Sequence, residues 1–366
     1  MDKFRIPVYK PFLGEEEKNN VIRCLDSTWI SSKGEFITVF EEKFAKYLGV
    51  NYATTVSNGT VALHLALVAL GIGPGDEVIV PTLTYIASVN AIVYTGATPI
   101  FVDSIEDTWQ MNPEEVKKRI NQRTKAVIAV HLYGHPCAMD ELSKICREKG
   151  IFLVEDCAEA IGSKFNGQYV GTFGDISTFS FFGNKTITTG EGGMVVTNDE
   201  TLHERIVHYK GQGLAKYREY WHDVVGYNYR MTNICAAIGV AQLGKIDFII
   251  NRKRRIAELY ETEFENTGIL FHKQVGNVFH SFWMCSILMK DSNERDFVRS
   301  KLGERGIETR PLFYPIHTMP MYSKRYEKHH VAENLGWRGI NLPSYVGLKD
   351  DELTEICNII LNAINN

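Results

Sequence analysis

The chain has 366 residues, of which 44% are hydrophobic and 23% are charged, and its formal net charge is −4. This composition is ample for a large core, predicts two domains, and leaves no basic surface field for nucleic acid. No apolar stretch approaches the roughly 20 residues that a membrane span requires, and the first residues lack the apolar core of a signal peptide. Seven cysteines without paired spacing indicate reduced thiols and no structural metal, so we expect a soluble cytoplasmic protein.

Strands and helices alternate over residues 49–198. The run at 61–70 is apolar on nearly every side and too long for a typical strand, which predicts a buried helix. Five short apolar runs predict strands, at 77–80, 99–102, 126–130, 151–155 and 176–181. Several of them are apolar on both faces, as in a parallel sheet that is covered by helices. Crossover helices are predicted to begin at Pro113 and Met139.

The pattern changes after about residue 246. It predicts a long charged helix near 252–260, then shorter strands, a helix near 295–303 and a final helix near 353–363. We therefore predict a large domain over residues 1–246, which includes the N-terminal segment, and a small α+β domain over residues 247–366. The expected architecture is a two-domain α/β enzyme.

Lys185 lies in a glycine-rich run, FFGNKTITTGEGG at 181–193, downstream of a predicted strand that leads into Asp156. Ligands bind at the carboxyl ends of strands in open α/β sheets. A carboxylate buried there needs a cationic partner, and a protonated pyridine nitrogen is one candidate. Considered without Lys185, Asp156 would more readily be interpreted as a helix N-cap. The pair together predicts pyridoxal phosphate, whose aldehyde forms a Schiff base with a lysine amine.

The run SNGT at 57–60, directly before the apolar helix, predicts a phosphate site. Free backbone N–H groups, the helix dipole and the Thr60 hydroxyl meet there, although an ordinary capped helix start is the alternative. Ser180, at the end of a predicted strand, is a candidate for a second hydroxyl or an ordinary strand serine. Tyr85 is a candidate to stack on a flat heteroaromatic ring, with core packing as an equal alternative. The glycines at 71, 73 and 75 follow a predicted helix and precede a predicted strand, whereas a dinucleotide-binding loop follows a strand and precedes a helix.

These motifs together resemble the DegT/DnrJ/EryC1/StrS family of sugar aminotransferases, over nearly the whole chain. The matching runs are SNGTVAL at 57–63, EDCAEA at 155–160, GTFGD at 171–175, SFFGNK at 180–185, TGEGG at 189–193 and GYNYRMT at 226–232. The resemblance implies a fold-type I pyridoxal-phosphate-dependent aminotransferase. In that α/β fold, helices flank a mixed, mostly parallel sheet, and a smaller C-terminal α+β domain follows. The resemblance also implies a homodimer whose active sites lie at the subunit interface.

The resemblance assigns roles to individual residues. Lys185 is the implied Schiff-base lysine, and Asp156 is the implied partner of the pyridinium nitrogen. Other cofactor contacts are implied for Gly59, Thr60 and Ser180 at the phosphate, for Tyr85 at the ring, and for Asn228 at the phosphate of the partner subunit. Glu159 departs from the family pattern, because many members carry Gln or His at that position. Its side chain is expected near the cofactor, with a role that does not transfer simply.

The runs TWISSKG at 28–34 and LYGHP at 132–136 resemble one branch of this family more closely, and that resemblance implies particular substrates. These are GDP-4-keto-6-deoxymannose as amino acceptor and L-glutamate as donor, in the synthesis of O-antigen or a related surface polysaccharide. Trp29, Arg310 and His317 are candidates for substrate contacts.

The residues leave several alternative functions open. The acceptor could be a UDP- or dTDP-linked keto-sugar, or the protein could bind a nucleotide sugar or the cofactor without catalysis. A related sugar dehydratase is a further possibility, but dehydratases of this kind carry histidine at the position of Lys185, which therefore favours amino transfer. A nicotinamide dehydrogenase is disfavoured because the glycine fingerprint is missing.

Overall fold

The computed structural model describes residues 4–365, without the side chain of Arg325, and consists mainly of helices packed on both faces of one large sheet. The helices are α1 Glu15–Asp26, α2 Glu35–Leu48, α3 Gly59–Ala69, α4 Ile86–Tyr94, α5 Pro113–Arg119, α6 Met139–Lys149, α7 Glu200–Lys210, α8 Asn233–Gly244, α9 Ile246–Phe264, α10 Ser292–Glu304, α11 His330–Arg338 and α12 Asp350–Ile364. The strands are β1 Tyr52–Val56, β2 Glu77–Pro81, β3 Thr98–Val102, β4 Thr124–Val130, β5 Phe152–Asp156, β6 Lys164–Phe165, β7 Gln168–Tyr169, β8 Ile176–Ser180, β9 Gly193–Thr197, β10 Leu270–Phe271, β11 Val278–Phe279, β12 Cys285–Leu288, β13 Arg310–Pro311 and β14 Gly339–Leu342.

The large sheet has seven strands in the order β1-β9-β8-β5-β4-β2-β3. Strand β9 runs antiparallel to both of its neighbours, and the pairs β8–β5, β5–β4, β4–β2 and β2–β3 are parallel. All five predicted strands belong to this sheet, with ends that differ slightly from the prediction. The predicted mixed, mostly parallel sheet flanked by helices is therefore confirmed.

Apolar side chains on both faces of the large sheet explain its helical cover. On one face, Phe40 and Phe44 of α2 pack against Phe179 and Phe181. On the other face, α3 and α4 share a core with β2, β4 and β5. Because both faces are buried, the strands carry apolar residues at nearly every position, which is the pattern that predicted them.

Helix α3 confirms the prediction of a buried helix over this segment. It begins at Gly59, where the side chain of Asn58 accepts a hydrogen bond from the Val61 amide at 3.0 Å. Seven of its residues are buried, so apolar side chains surround it as the sequence indicated. The N-terminus of α3 faces the carboxyl edge of the sheet, which positions it for the site described below.

The C-terminal region contains a second sheet of four strands, β10-β12-β14-β13, which packs with α9, α10 and α12. Ile6 forms a parallel bridge with Ile307 and is buried in the same core. The N-terminal segment thus contacts the C-terminal region. The division into residues 1–246 and 247–366 stays a prediction.

No single helix in residues 4–365 is long and apolar enough to cross a membrane. The consecutive helices α8 and α9 reach the required length and composition only as a pair, which is bent by 62°. All seven cysteines are free thiols, and six of them are buried.

Candidate active site

A cavity of about 640 Å³ opens at the carboxyl edge of the large sheet and extends to the C-terminal region. Eight of the predicted site residues line it: Gly59, Thr60, Tyr85, Asp156, Glu159, Ser180, Lys185 and Arg310. These residues come from segments separated by up to 251 positions in the chain, from Gly59 to Arg310. The sheet topology brings them together, because parallel strands end at one common edge.

Lys185 lies in the loop between β8 and β9, and hydrogen bonds hold both its backbone amide and its backbone carbonyl. Its amide donates a hydrogen bond to the Phe182 carbonyl at 2.9 Å, and its own carbonyl accepts one from the Tyr9 hydroxyl. The Nζ atom lies 4.0 Å from the ring centre of Trp283. Burial lowers the pKa of the Lys185 amine, because the apolar surroundings disfavour its charged form.

Glu159 is the carboxylate next to that amine, with Oε1 3.7 Å from Lys185 Nζ. Its other oxygen, Oε2, accepts a hydrogen bond from the Tyr133 amide at 2.8 Å. Burial raises the pKa of Glu159 to about 7, against the opposing effect of the lysine. This carboxyl group therefore titrates in the neutral pH range.

Asp156 ends β5 and is buried. Its carboxylate accepts hydrogen bonds from Ser88 Oγ at 2.7 Å and from the Ala158 amide at 3.1 Å. Among the side chains that the structure describes, no lysine or arginine nitrogen lies within 4.0 Å of it. No helix begins directly after β5, so the helix-cap alternative for Asp156 is wrong. A cationic ligand group would balance its charge.

The N-terminus of α3 and the end of β8 form a close-packed cradle at the cavity wall. A Cβ atom on Gly59 would lie 2.7 Å from Ser180 Cβ, so only glycine fits there without movement. Unpaired amide groups of the first helical turn and the positive end of the helix dipole favour an anion at this point. Asn184 also lines the cavity, and its buried side-chain oxygen has no hydrogen-bond partner among the described residues.

Comparison with known proteins identifies this arrangement. The model of the DegT/DnrJ/EryC1/StrS aminotransferase family matches residues 11–361. The chain belongs to this family. Aminotransferases of this family depend on pyridoxal phosphate, so the predicted family, enzyme class and cofactor are confirmed.

Individual members of the DegT/DnrJ/EryC1/StrS family are similar over their full lengths. GDP-perosamine synthase of Escherichia coli O157:H7 is 63% identical over 97% of this chain and 97% of its own. GDP-perosamine synthase of Vibrio cholerae is 53% identical, covering 98% of this chain and 99% of its own. Among solved structures, the aminotransferase TlmJ from Streptoalloteichus hindustanus is 31% identical with a TM-score of 0.94, over 98% of this chain and 99% of its own. The fold-type I architecture is thereby confirmed.

The residues of the cavity fit the cofactor of this family. Lys185 offers a buried amine of lowered pKa, and Asp156 offers a carboxylate that lacks a protein cation. The Gly59–Ser180 cradle suits a phosphate group. Tyr85 is 55% exposed and lines the cavity, so the core-packing alternative for it is wrong.

Three predicted residues lie outside this cavity in the single chain. Asn228 is exposed and accepts a hydrogen bond from Arg230 Nε at 3.1 Å. Trp29 is 56% exposed and lines a separate groove with residues of α1 and α2. His317 is buried, with Nδ1 2.7 Å from Thr82 Oγ1 and Nε2 3.1 Å from Glu333. Their substrate or cofactor contacts stay predictions.

Sequence reasoning missed several groups that shape the site. Trp283 faces the lysine, and Tyr133, which lies in the run LYGHP, holds Glu159. Both are far from Lys185 in the chain, and their contacts at the site were not predicted. Ser88 had a usable signal, because it lies in the first turn of α4, three residues after Tyr85, which is the N-cap of that helix. Its bond to Asp156 was not predicted.

His131, Glu155 and Cys157 form a buried cluster whose possible ligand atoms lie within 4.8 Å of one another. Hydrogen bonds account for it. His131 Nδ1 accepts from the Cys137 amide, which leaves the proton on Nε2 for Glu155 at 3.1 Å. Glu155 also accepts three backbone amides, those of Gly171, Phe173 and Gly174. We assign no metal to this cluster, and the absence of a metal stays a prediction.

The bonds of His317 generate a prediction about stability. His317→Ala is expected to lower the free energy of unfolding by about 1–3 kcal/mol, because it removes the imidazole hydrogen bonds to the buried Thr82 hydroxyl and to Glu333, which keep their other partners. Thermal unfolding measures the change, and His330→Ala, at an exposed position, is the control. An unchanged melting temperature with a raised KM for the sugar would contradict this and favour direct substrate contact.

Proposed function

We propose that this chain moves the amino group of L-glutamate to C4 of GDP-4-keto-6-deoxymannose, which gives GDP-perosamine. The observation that carries the proposal is the 63% identity, over 97% of both chains, with GDP-perosamine synthase of Escherichia coli O157:H7. GDP-perosamine synthase of Caulobacter vibrioides supports it with 46% identity over 96% of both chains. The reaction would serve the synthesis of O-antigen in the cytoplasm.

The cofactor would be held by the residues of the cavity. Asp156 would face the pyridine nitrogen, because a buried carboxylate stabilises a protonated ring nitrogen. Gly59, Thr60 and Ser180 would hold the phosphate at the N-terminus of α3. Tyr85, at the cavity wall, would cover the ring. When bound, pyridoxal phosphate carries the amino group between donor and acceptor and withdraws electrons from the carbon that loses its proton.

Lys185 supplies the proton transfers. Its Nζ atom accepts the proton from the α-carbon of glutamate in the first half-reaction and returns one to C4 of the sugar in the second. This task requires a neutral amine at neutral pH, and the burial of Lys185 favours that form. The wall of Trp283 and Glu159 keeps the amine out of bulk water.

Charged groups at the cavity mouth suit anionic substrates. Arg310 lines the cavity, where its guanidinium is held by Glu308 at 3.1 Å and is partly exposed. It is the candidate for a carboxylate of glutamate or a phosphate of the nucleotide. Trp29 and His317 are kept as candidates for sugar or nucleotide contacts, Trp29 by its exposed ring.

A homodimer is part of this proposal, because Asn228 lies outside the cavity of its own chain. The loop that leads to it exposes large apolar side chains, with Tyr220 93% and Val225 88% exposed. Apolar groups exposed in this density favour burial against a second subunit. Such a contact would carry Asn228 to the phosphate in the partner's site.

The nucleotide specificity can be tested by a visible spectrum. The holoenzyme is converted with L-glutamate to the pyridoxamine form, freed of excess glutamate, and mixed in turn with GDP-, UDP- and dTDP-linked 4-keto-6-deoxysugars. We expect only the GDP-linked sugar to restore the absorption of the pyridoxal form. Restoration by another sugar would leave amino transfer standing and overturn the specificity. Failure of glutamate to change the spectrum would overturn the donor.

A complementation experiment tests Lys185 and the shared site together. Lys185→Ala and Asn228→Ala are each expected to fold and to lose turnover, the first because the proton-transferring amine is gone. Subunits of the two variants, unfolded and refolded as a mixture, should recover about a quarter of the wild-type activity, since half of the dimers are mixed and each has one intact site. Substantial amine formation by Lys185→Ala would overturn its role. No recovery on mixing would contradict the assignment of Asn228 across the interface.

The cradle generates a prediction about cofactor affinity. Gly59→Ala should weaken pyridoxal phosphate binding about ten-fold or more, because its Cβ would meet Ser180 at 2.7 Å and push the phosphate site open. Equilibrium dialysis of cofactor measures the effect. Gly183→Ala is the matched control, since a Cβ there meets nothing within 4 Å. Equal affinities in the two variants would place the phosphate elsewhere.

A further inference from the structure

Glu159 and Lys185 form an ion pair at the wall of the cavity, with little of either side chain exposed. Glu159 Oε1 and Lys185 Nζ are 3.7 Å apart, and their side chains are 5% and 12% exposed. The ring of Trp283 covers the amine at 4.0 Å and offers no proton acceptor, since its N–H donates to the Asn184 carbonyl. Among the described residues, Glu159 is the one carboxylate within 4.0 Å of this nitrogen.

The structure holds Glu159 in place with a backbone conformation that few residues adopt. Tyr133, whose amide donates to Glu159 Oε2, has φ 56° and ψ 11°, in the left-handed region. Its side chain is fully buried, and its hydroxyl accepts a hydrogen bond from the Phe313 amide at 2.8 Å. Backbone strain of this kind persists where the surroundings enforce it, commonly at functional sites. The bond occupies Oε2 and leaves Oε1 for the lysine.

The charges around the pair determine how it titrates. Burial raises the pKa of Glu159 to about 7, and Asp156 raises it further while Lys185 opposes both. Burial lowers the pKa of Lys185, and Glu159 and Asp156 oppose that effect. The Tyr133 phenol stays protonated, because burial raises its pKa. The two shifts bring the pKa values of acid and amine toward each other, which is the condition for a shared proton.

We propose that Glu159 is a positioning residue that shares one proton with Lys185 Nζ and so determines how much of this lysine is a neutral amine. The 3.7 Å between Nζ and Oε1 exceeds the length of a hydrogen bond, so the lysine side chain must first rotate toward the carboxylate. When the amine is needed, the N–H bond on Nζ breaks, the proton forms an O–H bond on Glu159 Oε1, and the nitrogen keeps the electron pair. The reverse transfer restores the ammonium. The inference rests on the proposed function, in which Lys185 is the reacting amine.

The sign of the effect follows from the charges. Above its pKa, Glu159 is ionised and favours the lysine ammonium, so removal of its charge must lower the pKa of Lys185. In the cofactor-free protein, Glu159→Gln should shift the midpoint of Lys185 acylation downward by about one pH unit or more, which is ten-fold faster labelling where the wild-type amine is mostly protonated.

The test measures labelling of Lys185 in cofactor-free protein with acetic anhydride between pH 6 and pH 10, by mass spectrometry. The rate is normalised to Lys144, whose side chain is 74% exposed. Glu159→Asp keeps a carboxylate and should return the midpoint toward that of the wild type. Glu191→Gln removes another carboxylate from the cavity lining and should leave the midpoint unchanged. A merely structural role of Glu159 would not produce this order.

Equal midpoints in wild type and Glu159→Gln, or an equal shift in Glu191→Gln, would overturn the inference. Should Glu159→Gln fail to fold, the titration of Glu159 is measured instead, by the NMR resonance of its carboxyl carbon in wild type and in Lys185→Ala. Lys185→Ala must then move its titration midpoint upward, and an unmoved midpoint overturns the inference. None of these results depends on the sugar or the donor. A failed spectral test of specificity and a failed proton-sharing test are therefore distinguishable.

Discussion

A lysine and a carboxylate paired in a mostly buried site form the interaction on which the rest of this structure depends. Removing such charges from water is expensive, and the cost is offset only when the partners are held at fixed positions. Lys185 and Glu159 meet at 3.7 Å, while Asp156 nearby has no cation of its own chain. The site therefore carries an excess negative charge near its floor, which a cationic ring would neutralise. Cofactor binding and charge balance are in this sense one requirement.

Hydrogen bonds of residues next to the cavity hold these charged side chains in fixed positions relative to the large sheet. Glu155, adjacent to Asp156, accepts three amides of the loop before β8 and so fixes the entry of the strand that leads to Ser180. Tyr133 connects Glu159 to the loop that carries Phe313, and hence to the C-terminal region. Movement of one region relative to the other would disturb the pair at Lys185, because Tyr133 bonds Glu159 through its backbone amide and Phe313 through its hydroxyl.

Local sequence was sufficient for the parts of this structure that depend on neighbouring residues. The parallel strands and α3 follow from apolar runs between turn residues, and Lys185 and Asp156 follow from strand ends, since strand ends of a parallel sheet meet at one edge. Trp283 could not be predicted, because its contact with Lys185 depends on how the C-terminal region packs. The antiparallel pairing of β1 with β9 joins segments about 140 residues apart and has no local signal either.

The N-terminal segment is tied into the active site more closely than a chain end usually is. Ile6 pairs with Ile307, and the hydroxyl of Tyr9 donates to the carbonyl of Lys185 itself. A fusion partner or affinity tag joined directly before this segment would pull on the backbone of Lys185. Helix α12, near the other end of the described residues, packs against α9 and α10 and contacts the N-terminal segment through the exposed ion pair of Glu355 with Arg5. These contacts do not involve Lys185. Purification tags therefore belong at the carboxyl terminus of this enzyme.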